Sequence, residues 1–137
     1  ICIFMKTTIL ISICLIRKIS LTNNVFYDGK KVYDTERLWS LVSRRTPTRR
    51  KIKPLEWHLK EKVWSMRPMD VIRNRKKHSR HWSRIKNADL SYPILVNDEG
   101  IIIDGCHRLS KAYMMGRATI LVHEVSEKDL RKARLNS

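Results

Sequence analysis

The side chains of this chain that are best suited to catalysis or binding lie in one short segment, 104–108, with the sequence Asp-Gly-Cys-His-Arg. An apolar run precedes the segment and predicts a strand, and apolar residues at three- and four-residue spacing follow it and predict a helix. Gly105 allows a sharp turn between the two, so the free N–H groups of the first helical turn point above the strand end. The segment therefore predicts an anion site, to which His107 and Arg108 add donors.

Three of these side chains each allow both a functional and a structural interpretation. Arg108 can bind two phosphate oxygens through its planar fork of donors, or form a salt bridge to Glu99 or Glu124. Asp104 can bind Mg²⁺ beside a phosphate or accept a proton from a substrate hydroxyl, or it can cap the helix. Cys106 can be a nucleophile whose thiolate the helix dipole favours, or a small packing residue.

Further basic residues outside this segment are weaker candidates for phosphate binding. Lys111 follows His107 by one helical turn and can reach a phosphate, although exposed helical lysines are usually only solvated. The pair His78 and His81 has metal-like spacing but stands among cations, so we predict no metal site there. Secondary candidates on this basic surface are Arg75, His78 and Arg84.

The segment 103–112, Ile-Asp-Gly-Cys-His-Arg-Leu-Ser-Lys-Ala, resembles the signature of the ParB/sulfiredoxin-like superfamily. In that superfamily a strand ends in a Gly-x-His-Arg or Gly-Glu-Arg-Arg turn that opens a helix. Residues 88–96 are similar to its segment leading into the preceding strand, and 118–125 to its following strand. The resemblance covers about residues 50–130, with a moderately specific motif.

The resemblance implies a nucleotide site at 104–108, formed by Gly105, His107, Arg108 and Lys111. The implied ligand is a nucleoside triphosphate, ATP or CTP, with Mg²⁺, as in ParB-like nuclease and nucleotide-binding domains. Sulfiredoxins carry Gly-Cys-His-Arg with a catalytic Cys, which would be Cys106 here. They tend to have Gly where this chain has Asp104, so the pattern favours the ParB-like and kinase-like branches.

Positive charge is the strongest signal in the composition. The net charge is +16, and residues 44–86 contain 16 Lys or Arg against three acids. Such a surface attracts phosphate polymers, nucleotides or acidic lipids, so nucleic acid is a predicted partner through non-specific charge. Four tryptophans are interleaved with basic residues of the chain, either as stacking platforms or as anchors of the core: Trp39, Trp57, Trp64 and Trp82. We predict that at least Trp39 and Trp82 are core anchors.

Composition and length predict one globular domain. The chain has 137 residues, of which 42% are hydrophobic. Residues 5–18 imitate a signal peptide but lack a cleavage site and are too short to span a bilayer. We predict an N-terminal extension at 1–22, disordered or not native, and a single domain at 23–137. The three cysteines give no even disulfide framework, which favours a reduced, cytoplasmic or nucleoid-associated protein without a transmembrane segment.

The chain alternates short α and β patterns. We predict a hairpin at 25–33, a loop at 44–53 and strands at 93–96, 101–103 and 119–125. Residues 55–64 allow two interpretations: Leu55, Trp57 and Leu59 alternate as in a strand, whereas the spacing of Trp57 and Trp64 with the charged residues between them suits a helix. We favour a strand that breaks into a turn by Pro68. Predicted helices cover 34–43, 69–73, 78–86, 106–115 and the residues after Ser126. This pattern predicts an α+β domain, a small mixed sheet with packed helices, of the ParB/sulfiredoxin-like type.

Three functions are compatible with the sequence. The first is a ParB-like nucleotide-binding domain with a basic surface that also contacts nucleic acid. The second is a nucleotide hydrolase, phosphotransferase or sulfiredoxin-like enzyme that uses Asp104 or Cys106. The third is a nucleic-acid-binding module without small-molecule chemistry.

Overall fold

A computed structural model describes residues 24–136 of the chain, so the predicted extension at 1–22 lies outside the described residues. The described part opens with an antiparallel hairpin of β1 (Val25–Asp28) and β2 (Lys31–Asp34). Gly29 turns the chain between them with a φ of 61°, a backbone conformation that glycine adopts readily. The predicted hairpin is confirmed.

A mixed four-stranded sheet forms the centre of the fold. Its strands are β3 (Thr48–Lys51), β4 (Ile94–Asn97), β5 (Ile102–Asp104) and β6 (Thr119–Val125), in the order β3-β6-β4-β5. The central pair, β4 and β6, is parallel, and each outer strand is antiparallel to its neighbour. The predicted mixed sheet of an α+β domain is confirmed.

Helices cover both faces of this sheet. They are α1 (Thr35–Val42), α2 (Pro68–Arg73), α3 (Ser79–Lys86), α4 (Cys106–Met114), α5 (Glu127–Ala133) and a 3₁₀ helix (Lys53–Lys60). Ile94 and Val96 of β4 pack with α4 and the 3₁₀ helix, whereas Leu95 packs with α1 and α5. Because β4 has helices on both sides, its side chains form a continuous apolar run instead of an alternating one.

Two predictions about the segment before α2 are wrong. Residues 44–53 contain the edge strand β3. No apolar alternation marks this strand in the sequence, because most of its side chains are exposed and basic. Residues 55–64 contain most of the 3₁₀ helix instead of a strand. Leu55 and Leu59 are both buried there, four residues apart, and the apparent alternation with Trp57 is coincidental. Among residues 24–136, none of the helices has the length and apolar character needed to cross a bilayer.

Candidate functional site

The turn between β5 and α4 is built around Gly105. This residue has a φ of 113° and stands as the N-cap of α4. A Cβ atom on residue 105 would lie 2.6 Å from Cγ2 and 2.8 Å from Cβ of Ile94. The close packing of β4 against the turn therefore requires glycine, and it fixes where α4 begins.

Asp104 ends β5, and its side chain is held by a distant tryptophan. Trp39 of α1 donates an indole N–H to Oδ2 of Asp104 at 2.8 Å. The interpretation of Asp104 as a helix cap is wrong, since Gly105 holds that position and no side chain of the described residues caps α4. The carboxylate is thus oriented by α1, and the first-turn N–H groups of α4 have no side-chain acceptor.

The guanidinium of Arg108 has no acidic partner within residues 24–136. Its Nε atom is buried and has no hydrogen-bond partner among the described residues. The predicted salt bridge from Arg108 to Glu99 or Glu124 is not present. Glu124 pairs instead with Arg50 at 3.2 Å, and Glu99 forms no salt bridge in the described part of the chain. The guanidinium carbon lies instead 5.9 Å from the ring centre of Trp39, at the outer limit of a cation–π contact.

Asp104 and Arg108 meet at a small cavity. It has a volume of about 270 Å³ and is lined by these two residues with Trp39, Tyr92 and Pro93. Tyr92 is 63% exposed and stands at its rim. A carboxylate, an uncompensated guanidinium and two aromatic rings therefore face one space at the end of a strand.

Two other predicted residues of the segment have different surroundings. Cys106 is 5% exposed and belongs to the apolar core with Leu109 and Ile94. Lys111 donates from Nζ to the carbonyl oxygen of Ala88 at 2.7 Å, so its ammonium holds the chain before β4 against α4. It also lines a larger cavity, of about 720 Å³, together with Arg49 and Arg117.

His107 is turned toward an aromatic stack. His107 and His81 lie side by side against one face of Trp64, with ring centres 4.2 and 4.5 Å from that of Trp64, and Nδ1 of His81 lies 3.1 Å from Nε2 of His107. Burial lowers the pKa of His107 to about 3, aided by the nearby charges of His81, Arg84 and Arg108. A histidine that is neutral at pH 7 adds no positive charge to a phosphate site.

The secondary candidates lie on other surfaces. Arg75 places its guanidinium 4.1 Å above the ring of Trp82, His78 directly precedes α3, and Arg84 is exposed on α3. None of the three lines the cavity at Asp104 and Arg108. Within residues 24–136, no group of three or more His, Cys, Asp or Glu side chains could hold a metal ion.

Trp39, Tyr92 and Pro93 are the three lining residues of this cavity that the sequence did not indicate. Trp39 had been assigned to the core, and 65 residues separate it from the carboxylate that it binds. No local pattern connects the two positions, so only the packing of α1 beside β5 could reveal the contact.

Comparison of the chain with protein-family models, with curated proteins and with solved structures finds no match in any of the three.

Proposed function

We propose that this chain is a ParB/sulfiredoxin-like nucleotide-binding domain that holds the phosphate end of a nucleoside triphosphate at the turn from β5 to α4. The observation that carries the proposal is the guanidinium of Arg108, which faces a cavity without an acidic partner among the described residues. A half-buried cation without a counter-ion costs free energy, and a bound anion offsets that cost.

The backbone of α4 supports the same ligand class. The first N–H groups of this nine-residue helix have no side-chain cap in the described structure, and they begin at Gly105 beside the cavity. Such groups bind phosphate oxygens, and the helix dipole favours negative charge there. Arg108 stands in the first turn of the same helix, so both sets of donors serve one anion.

The size of the cavity supports a phosphate group as the part that enters. About 270 Å³ lies below the range of about 300–1,000 Å³ typical of sites that enclose a whole ligand. The sugar and base would then extend along the surface outside it. Mg²⁺ often takes one carboxylate together with substrate phosphates, and Asp104 is the carboxylate that fits this role.

A phosphoryl-transfer enzyme is the second candidate function, and the position of Asp104 favours it over sulfiredoxin-like chemistry. The carboxylate faces the cavity in an orientation that Trp39 holds, as a general base or metal-binding group requires. Cys106 is buried among apolar side chains, which does not suit a residue that attacks a protein substrate.

Arg108→Ala tests the proposed site. We expect this variant to bind ATP, CTP or GTP, whichever the wild-type chain prefers with Mg²⁺, about 10- to 100-fold more weakly. The reason is the loss of a charge-assisted pair worth about 1.5–3 kcal/mol. Isothermal titration calorimetry measures the affinity, and circular dichroism checks the fold.

Two matched variants make the result specific. Arg131→Ala removes an exposed arginine from α5 and should leave the affinity unchanged. Arg117→Ala removes a cation from the larger cavity and should also have little effect. A large loss in Arg117→Ala with none in Arg108→Ala would place the nucleotide in the larger cavity and contradict the proposal.

A further inference from the structure

A second polar cavity lies between the segment before α2 and the loop before α3. It has a volume of about 490 Å³. Four basic residues line it, and we call them together the basic cleft: Lys62, Arg73, Lys77 and His78. Three of them are exposed, so the cleft is open to a large ligand.

The single acid of the basic cleft is already neutralised. Asp70 receives hydrogen bonds from the guanidinium of Arg67, the shortest at 2.7 Å from Nη2. These bonds lower the pKa of Asp70 to about 2, so it stays ionised and paired. Lys62, Arg73 and Lys77 form no salt bridge within residues 24–136.

The surroundings of the basic cleft extend the same charge. Residues 62–86 contain nine Lys or Arg, and Asp70 is their only acid. Five further cations of this stretch are all exposed: Arg75, Lys76, Arg80, Arg84 and Lys86. A positive surface of this extent attracts a polyanion more strongly than a single small anion, because each phosphate contact releases a counter-ion.

The tryptophans of this region are engaged within the protein. Trp64 packs against the apolar core and carries His81 and His107 side by side on one face of its ring, and the guanidinium of Arg75 covers one face of Trp82. Each ring therefore already has one face occupied by a side chain of the protein. Recognition on this surface would therefore rest on phosphates and not on base stacking, which single-strand binders use.

We propose that the basic cleft docks the phosphodiester backbone of a duplex nucleic acid, without sequence preference. A duplex fits better than a single strand because it carries about one charge per 1.7 Å of its axis, twice the density of one strand. The basic cleft shares no lining residue with the cavity at Asp104 and Arg108, so this proposal does not depend on the nucleotide proposal.

The test compares two triple variants of equal charge. Lys62→Ala/Arg73→Ala/Lys77→Ala removes three cations from the basic cleft, and Lys128→Ala/Arg131→Ala/Lys132→Ala removes three exposed cations from α5. Fluorescence anisotropy measures binding to a labelled 20-base-pair DNA duplex and to its single strand at increasing salt. Circular dichroism confirms that both variants fold.

We expect the cleft variant to bind the duplex at least tenfold more weakly at low salt. Its slope of log affinity against log salt should fall by about 2–3, since each lost phosphate contact contributes about 0.9. The α5 variant should lose less than threefold in affinity. Equal losses in the two variants would show that net charge alone drives binding and would overturn the proposal.

Two other results would also overturn it. One is tighter binding of the single strand than of the duplex, which would indicate recognition of bases. The other is binding to phosphatidylserine vesicles with none to the duplex, which would assign the basic cleft to an acidic membrane surface.

Discussion

Gly105→Ala should lower the free energy of unfolding by about 2–5 kcal/mol, the largest effect expected of any single methyl group in this fold. The left-handed backbone at residue 105 costs an alanine about 1–2 kcal/mol. The new Cβ would also overlap Ile94, at 2.6 Å from its Cγ2 atom, and overpacking costs about 1–3 kcal/mol more. Urea denaturation followed by circular dichroism measures the change.

Gly116→Ala is the matched control for this prediction. Gly116 also has a positive φ, 67°, but a Cβ atom there would meet nothing within 4 Å. The Gly116→Ala variant should therefore lose only the free energy that a left-handed backbone costs an alanine, about 1–2 kcal/mol. Equal losses in the two variants would mean that the contact between residue 105 and β4 does not constrain the turn.

Stability should fall as the pH drops from about 6.5 toward 4, because buried histidines resist protonation in the folded chain. Burial lowers the pKa of His58 to about 4 and that of His107 to about 3, against about 6.5 in an unfolded chain. The unfolded chain therefore takes up protons first, so stability is complete above pH 6.5 and declines below it. His58 has no exposed surface, and its contribution alone should lower the free energy of unfolding by about 2–3 kcal/mol between pH 7 and 4.5.

The pH window separates this effect from that of the carboxylates. Asp70 and Asp129 have lowered pKa values in the fold, and their contributions are lost only as the pH falls below about 4.5. Denaturation at a series of pH values measures the decline, and His107→Phe, which keeps a ring against Trp64, should make it shallower. An unfolding free energy that stays constant between pH 7 and 4.5 would contradict the account of these histidines.

The fold was predictable where local chemistry and burial agree. The capping box formed by Ser126 and Asp129, the Asp28-Gly29 hairpin and the strand-to-helix turn at 105 are all encoded in neighbouring residues. The edge strand β3 was not predictable, because its pairing with β6 uses backbone groups while its side chains are polar.

The candidate site was predictable only in part, because the sequence shows which residues share the turn but not what each side chain contacts. Asp104 and Arg108 were found from their place in the turn, and they do meet at one cavity. His107 and Lys111 share their helix but point to partners elsewhere, an aromatic stack and a backbone carbonyl. Sequence spacing shows which residues share a turn, whereas tertiary packing decides what each side chain faces.

The most direct test of the central proposal is to find where a nucleotide binds. Addition of the preferred nucleoside triphosphate with Mg²⁺ to ¹⁵N-labelled protein should shift the backbone amide signals of residues 105–108, because these N–H groups begin α4 beside the cavity. The indole signal of Trp39 should shift with them, since it is bonded to Asp104. Saturable binding that leaves all of these signals unmoved would contradict the proposed site.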